Sequence, residues 1–268
     1  MELSVRYSAL VDAKLRNELV LKDGVIFNNY FEGSPKAGAV KVRKTGTATV
    51  NDYDRVNGVN LTTGASQWVN VPIDKDKAVN EIVDGYEAAA IPDGIIADRL
   101  DAAAYGIADA LDKDGAAELV TGGTALASTA AYTKTNIYEG FVDVRQAMSE
   151  AGVPVNGRYA LVSPETYAKV LRSDAFIAAS NLGDNVKATG AVGAIAGFAI
   201  YESANLGEKV EAVFGHPSYA TRIKEWSVPV AARPLQDSKH IGASAISGRI
   251  VYAHKVTNPA AIYVKKTA

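Results

Sequence analysis

Residues 45–66, TGTATVNDYDRVNGVNLTTGAS, are rich in Thr, Asn, Asp and Gly, yet they lie between two segments that alternate apolar and polar residues. A stretch so poor in large apolar side chains has little to bury against the core of its own chain. On the near side, Val40 and Val42 alternate with Lys41, Arg43 and Lys44; on the far side, Val69, Val71 and Ile73 alternate with Trp68 and Asn70. A period of two predicts strands, so residues 37–75 read as a hairpin that protrudes from the body. At roughly 3.3 Å per residue such an arm reaches on the order of 30 Å. An isolated two-stranded hairpin is marginal in water, so its order is expected to come from a neighbouring molecule.

The remaining chain alternates helices and strands. Val11, Leu15 and Leu19 sit at helical spacing and predict a short amphipathic helix over residues 10–22, an arm followed by Phe27, Tyr30 and Phe31 as an apolar anchor. A long helix is expected over 92–114, opened by Pro92 and Asp93, closed near Gly115, with Ile96, Leu100, Ala103, Ile107 and Leu111 on one stripe. Its Asp98, Asp101, Asp109 and Asp112 read as a solvated acidic face, because no histidine accompanies them. Small polar residues 121–133 read as a connector. Asn136 with Glu139 suggests a capped helix carrying Ile137, Phe141, Val144 and Met148 inward and ending at Gly152. RYALV then predicts a strand, Ser163 and Pro164 open a helix with Tyr167, Val170 and Leu171 facing in, and 180–192 is a glycine-rich loop. FAIYES, VEAVF, RIVYAH and AIYVKK supply four further strands, which makes the class α+β.

Chemistry is hard to place on this chain. Its 268 residues are 48% hydrophobic and 22% charged, a globular composition, with a net charge of −2 that creates no broad basic field for nucleic acid or membrane. Cysteine is absent, which removes disulfides, thiolate metal sites and cysteine nucleophiles. Charged Asp12, Lys14, Arg16 and Glu18 interrupt any signal-peptide core, and no segment is apolar and long enough to span a bilayer. His216, His240 and His254 form no metal-ligand pair and read as hydrogen-bonded or solvated. Gly190, Gly193 and Gly197 precede a strand, where a phosphate-cradling loop would follow one. Ser244 lacks a nucleophile elbow. No catalytic, cofactor or metal site is expected. The candidate functional residues are contacts on the hairpin: Lys41, Arg43, Lys44, Asp52, Asp54 and Arg55, with Trp68 as an interface anchor. The basic members read as a solvated face or as partners for acidic patches on neighbouring subunits, and less well as a phosphate-binding ribbon, since no aromatic is interleaved to stack on bases.

The run GVPVNGRYALVSPETYAKVLRSDAF, residues 152–176, resembles the A-domain segment of tailed-phage major capsid proteins with the Hong Kong 97 fold. GAIAGFAIYESANL (193–206), FGHPSYA (214–220) and GRIVYAHKVTNPAAIYVKK (248–266) resemble further segments of that family in its order. The N-terminal half is similar in layout only. The resemblance implies an N-terminal arm over 1–36, an E-loop hairpin over 37–75, a P-domain over 76–130 and 222–252 with spine helix 92–114, and an A-domain over 131–221 and 253–268. It further implies a non-enzymatic subunit that forms pentamers and hexamers of an icosahedral shell around double-stranded DNA, without sequence-specific DNA contacts. The partners it implies are other copies of the chain, a separate scaffolding protein, a portal and, as an option, decoration proteins. It implies synthesis and assembly in the bacterial cytoplasm, residence in the virion and no membrane. Some members join E-loop to P-domain by a lysine-to-asparagine isopeptide bond; Lys41 and Lys44 could donate, but no asparagine falls between Asn205 and Asn258, so no self-cross-linking is expected. The rivals are an encapsulin-like compartment shell, a tail-tube subunit, and an enzyme with an unrecognised site.

Overall fold

A computed structural model of the chain describes residues 19–29, 38–45, 50–60, 66–90, 94–173, 193–236 and 239–268. Most of the expected N-terminal helix, Tyr30, Phe31, Pro92, Asp93 and the 180–192 loop lie outside these residues. The described end of that helix, residues 19–22, is not helical. Val20 and Leu21 are both buried in one core there, and the Lys22 N–H donates to Val20 O (2.8 Å), a tight turn in place of a helical one.

The first two strands pair as expected. β1 (Ala39–Thr45) and β2 (Ser66–Pro72) are antiparallel, with Val40 opposite Val71 and Arg43 opposite Trp68.

A second sheet has the order β3 (Lys75–Val83), β10 (Ser244–Val256), β9 (Ala220–Pro234), with helix α2 (Ile95–Gly122) laid along one face. β3 and β9 are edge strands, and their sequences hid them. β3 carries charges on both sides, and β9 contains Pro229, which breaks a ladder of hydrogen bonds unless it sits at an edge or bulge. The register shift between the Ser247–Ala231 and Arg249–Val228 pairs gives Pro229 both. A short helix α1 (Gly85–Ala90) follows β3.

Helix α2 spans Ile95–Gly122, longer than the 92–114 read from the sequence. Gly115 does not close it. A Cβ at that position would lie 3.1 Å from the Phe27 ring and 3.2 Å from both Arg222 and His254, so this glycine serves close approach within the helix. The acidic face is also not wholly solvated. Asp112 is 4% exposed and accepts hydrogen bonds from the Leu21 backbone N–H (3.1 Å) and Asn205 Nδ2 (3.4 Å).

The third sheet has the order β4 (Thr124–Ala125), β11 (Tyr263–Lys266), β8 (Val210–Gly215), β5 (Tyr159–Val162), β7 (Phe198–Glu202), β6 (Ala194–Ile195). Both faces of its centre are covered, which is why YALV and VEAVF are buried at every residue. On one side Ala160, Val162, Ala212 and Phe214 meet α3 (Ile137–Glu150) and α4 (Pro164–Leu171). The rings of Phe141, Phe198 and Phe214 meet edge to face there, 4.9 to 6.3 Å apart. On the other side Tyr159, Leu161 and Val213 meet Ala116 and Leu119 of α2 and the strap 19–29. Ser163 caps α4 through its Oγ, which accepts from the Thr166 N–H, as its sequence suggested. Asn136 does not cap α3. Its Oδ1 accepts from the Thr133 N–H instead (2.7 Å), closing the turn ahead of the helix.

Candidate functional site

The hairpin is anchored only at its root. Val40, Val42 and Val71 pack with Ile223 and Ala253, on the face of the β9–β10 pair opposite α2. That patch has the alternation of β1 and β2 to thank, since a shift of one residue in either strand would turn the valines outward.

Beyond the root the chain leaves its own body. Residues 50–57, 59 and 60 are all exposed, Val50 by 91%, Tyr53 by 72% and Val56 by 89%. The turn here is nevertheless built. Asp54 O accepts from the Gly58 N–H (2.8 Å), Asp54 Oδ1 from the Val56 N–H (2.8 Å), and Asp54 Oδ2 from Asn57 Nδ2 (2.7 Å). The Val56 N–H and the Asn57 groups hold the Asp54 carboxyl below the usual carboxylate range. Val56 is therefore displayed on an ordered polar turn, Tyr53 and Val59 flank it and Val50 precedes it, and all four meet water on this subunit. Burying them elsewhere is favourable in proportion to the apolar area removed from water.

The sequence-derived contact residues separate into groups. Lys41, Arg43 and Trp68 stand on the outward face of the hairpin, Trp68 opposite Arg43 and 48% exposed. Lys44, opposite Gln67, is on the other face. Asp52, Asp54 and Arg55 belong to the distal turn and are exposed. The structure does not gather the seven into one cluster. They mark two faces and a tip of one arm.

Sequence reading missed the lock at the base of this arm. Arg222 on β9 is 5% exposed; its Nη1 donates to Leu21 O (2.6 Å) and Asp23 Oδ1 (3.1 Å), its Nε donates to His254 Nε2 (2.8 Å), and its guanidinium lies 4.5 Å over the Phe27 ring. Lys224 adds a second pair to Asp23 (2.8 Å). Asn28 is stitched to the same strand: its N–H donates to Ala220 O, its O accepts from the Arg222 N–H, and its side chain bonds Pro217 O and Thr221 Oγ1. The strap is thereby fixed between α2 and the β9–β10 pair. Burial works to raise the Asp23 carboxyl, but Lys224 and Arg222 outweigh it and hold it below its ordinary value. Burial, reinforced by the Arg222 charge, pushes the His254 imidazole down to about 3. Burial raises Asp112, against the hydrogen bonds it accepts. Nothing in the run VYAHK told this histidine from a solvated one. The signal lay in Arg222 and Asp23, distant in sequence and joined only by the fold.

A hollow of about 380 Å³ lies between residues 126–132 and α3, lined among others by Tyr132, Asn136, Glu139, Asp143 and Lys265. Its buried Lys265 ammonium donates to Ser128 O (2.8 Å) and sits 4.9 Å from the Tyr132 ring centre, which ties the loop down. Among the described residues no group of three or more acidic or histidine side chains could hold a metal ion. No described helix is long and apolar enough to cross a membrane.

The mixed helix-and-strand body, in which the long helix α2 packs on both the three-stranded and the six-stranded sheet, has the Hong Kong 97-like fold. Solved phage structures share it. The chain superposes on a structure from Mycobacterium phage Che8 with TM-score 0.80 at 24% identity, covering 98% of this chain and 96% of that one. It matches the capsid structure of cyanophage P-SCSP1u with TM-score 0.78 at 15% identity, covering 98% and 92%. It matches the mature capsid of bacteriophage PhiM1 with TM-score 0.73 at 14% identity, covering 100% and 92%. No curated protein matches the sequence. The family model described as phage capsid protein matches residues 86–264, more than half of the chain. The chain belongs to the phage capsid protein family, and its place is in the phage shell.

Proposed function

We propose that the chain is the major head subunit of a tailed phage, assembling as pentamers and hexamers into an icosahedral shell around double-stranded DNA, and that it acts structurally without an active site. The observation that carries this is the arm: its root is packed on its own subunit, while Val50, Tyr53 and Val56 at and beside its distal turn are held out in water. In a closed shell each copy both gives and receives such an arm, and many modest contacts made at once hold every subunit in place. Lys41, Arg43 and Trp68 on one face, Lys44 on the other, and Asp52, Asp54 and Arg55 at the tip serve as its contacts with neighbouring copies. In this reading the chain divides into an N-terminal arm, an E-loop hairpin, a P-domain and an A-domain. A scaffolding protein, a portal and decoration proteins act from outside this chain, and assembly takes place in the host cytoplasm. No lysine-to-asparagine bond joins the subunits.

Electron microscopy of the purified protein tests this reading. Closed shells or ring-shaped capsomers support it, and a small oligomer that turns over a metabolite overturns it. Shells filled with an enzyme in place of DNA would assign the chain to a bacterial compartment. A ladder of covalent multimers on a denaturing gel would overturn the absence of cross-links.

A further inference from the structure

The sequence contains two Asn–Gly pairs, Asn57–Gly58 and Asn156–Gly157, and the fold treats them oppositely. Both are in turns, and both asparagines are exposed. In such a pair the backbone nitrogen of the glycine, unhindered by a Cβ, can attack the side-chain amide carbon of the asparagine.

We propose that Asn156–Gly157 is a site of spontaneous covalent modification, converted in the folded protein to aspartate and isoaspartate through a succinimide, and that Asp54 keeps Asn57–Gly58 unreactive. The case rests on His216. This residue directly follows the fully buried strand β8 and is itself 8% exposed. Its Nδ1 accepts from the Ser218 N–H (3.2 Å), which leaves the ring proton on Nε2. Nε2 lies 2.9 Å from Asn156 O and therefore donates to it. That carbonyl belongs to the same peptide unit as the Gly157 N–H. A hydrogen bond to the oxygen stabilises the charge that appears on this amide when the nitrogen loses its proton, the role an oxyanion hole plays for other developing charges. A Cβ at Gly157 would lie 3.3 Å from Nε2, so the imidazole is held against this unit, and Gly157 has φ +86°. Among the described residues neither the Asn156 side chain nor the Gly157 N–H makes a hydrogen bond that would have to break first.

The other pair has the reverse arrangement. The Gly58 N–H donates to Asp54 O, and Asn57 Nδ2 donates to Asp54 Oδ2. Nucleophile and leaving group are each held by Asp54, and its carboxylate opposes negative charge developing beside it.

The step balances with water as the only co-reactant. Hydroxide or water removes the Gly157 N–H proton, the nitrogen bonds to the Asn156 amide carbon, and the carbon–Nδ2 bond breaks, releasing ammonia. Water then opens the ring at either carbonyl. One water is consumed, one ammonia leaves, and the turn between α3 and β5 gains a carboxylate, with one extra backbone carbon where isoaspartate forms.

Assembled shells and the same chain kept in denaturant are incubated side by side in mildly alkaline buffer, then digested and read by mass spectrometry for amide-to-acid conversion at each site. In denaturant the two pairs should react alike. In shells Asn156 should convert roughly three- to tenfold faster than in denaturant, the range expected from one hydrogen bond of ordinary strength, and Asn57 should convert more slowly than in denaturant. His216→Ala should remove the acceleration at Asn156, and Asp54→Ala should release Asn57; a variant that does not fold leaves the comparison of native and denatured wild-type chain as the deciding one. Conversion at Asn156 no faster in shells than in denaturant, or Asn57 matching Asn156 in shells, would overturn the proposal.

Discussion

Acid should loosen the clamp at Arg222, and His254 sets the scale. Its imidazole accepts from Arg222 Nε and is flanked by Phe27 at 5.0 Å and Tyr252 at 5.4 Å. Desolvation, with repulsion from Arg222, Lys224 and Lys75 against the opposing Asp23, holds it neutral down to about 3, against 6.5 for a solvated histidine. The unfolded chain therefore takes up a proton as pH falls through 6.5, while the folded chain refuses it until about 3, so stability is full above that window and lost within it. At about pH 4 the deficit from this one group is about 3 kcal/mol. Asp23 acts in the same direction at lower pH, since its ion pairs are lost as pH falls through its depressed value, while raised Asp112 is relieved by acid and partly offsets both. The assay is denaturant unfolding of unassembled subunits at a series of pH values, for wild type and for His254→Gln, whose amide oxygen can still accept from Arg222 but does not titrate. Wild type should lose about 3 kcal/mol more than the variant between neutral pH and about pH 4. Equal losses in the two proteins would refute the reasoning.

The packing sets four further outcomes. Val71→Ala removes buried methyl groups from the hairpin root and should lower subunit stability by about 2 kcal/mol in chemical denaturation. Gly115→Ala drives a Cβ into Phe27, Arg222 and His254 and should cost about 1–3 kcal/mol, whereas Gly106→Ala, with nothing within 4 Å, should raise stability by up to about 1 kcal/mol. Removing the cap in Ser163→Ala should lower the unfolding free energy by about 1 kcal/mol.

Where local chemistry decides the structure, the sequence was enough. The alternation of Val40, Val42, Val69 and Val71 located the two strands of the hairpin, and Phe141, Val144 and Met148 located the buried face of α3. What failed was settled by partners far along the chain. Gly115 reads as a helix stop until Phe27 and His254 are seen against it, and Asp112 reads as solvated until Leu21 and Asn205 cover it. Strand β9 was hidden by Pro229, which is tolerable because the fold puts it on an edge strand and at a bulge. The arm's contact residues were found by composition, and alternation along β1 already sets Lys44 on the face opposite Lys41 and Arg43, but that Trp68 stands directly across from Arg43 depends on the pairing of the two strands.

Hydrogen exchange across residues 50–60, compared between unassembled subunits and closed shells, tests most directly whether the arm is completed by a second copy. Outside the amides that Asp54 holds, these residues should exchange fast in the free subunit and become protected on assembly as Tyr53 and Val56 are covered. Equal exchange in the two states, or protection already present in the free subunit, would contradict the account.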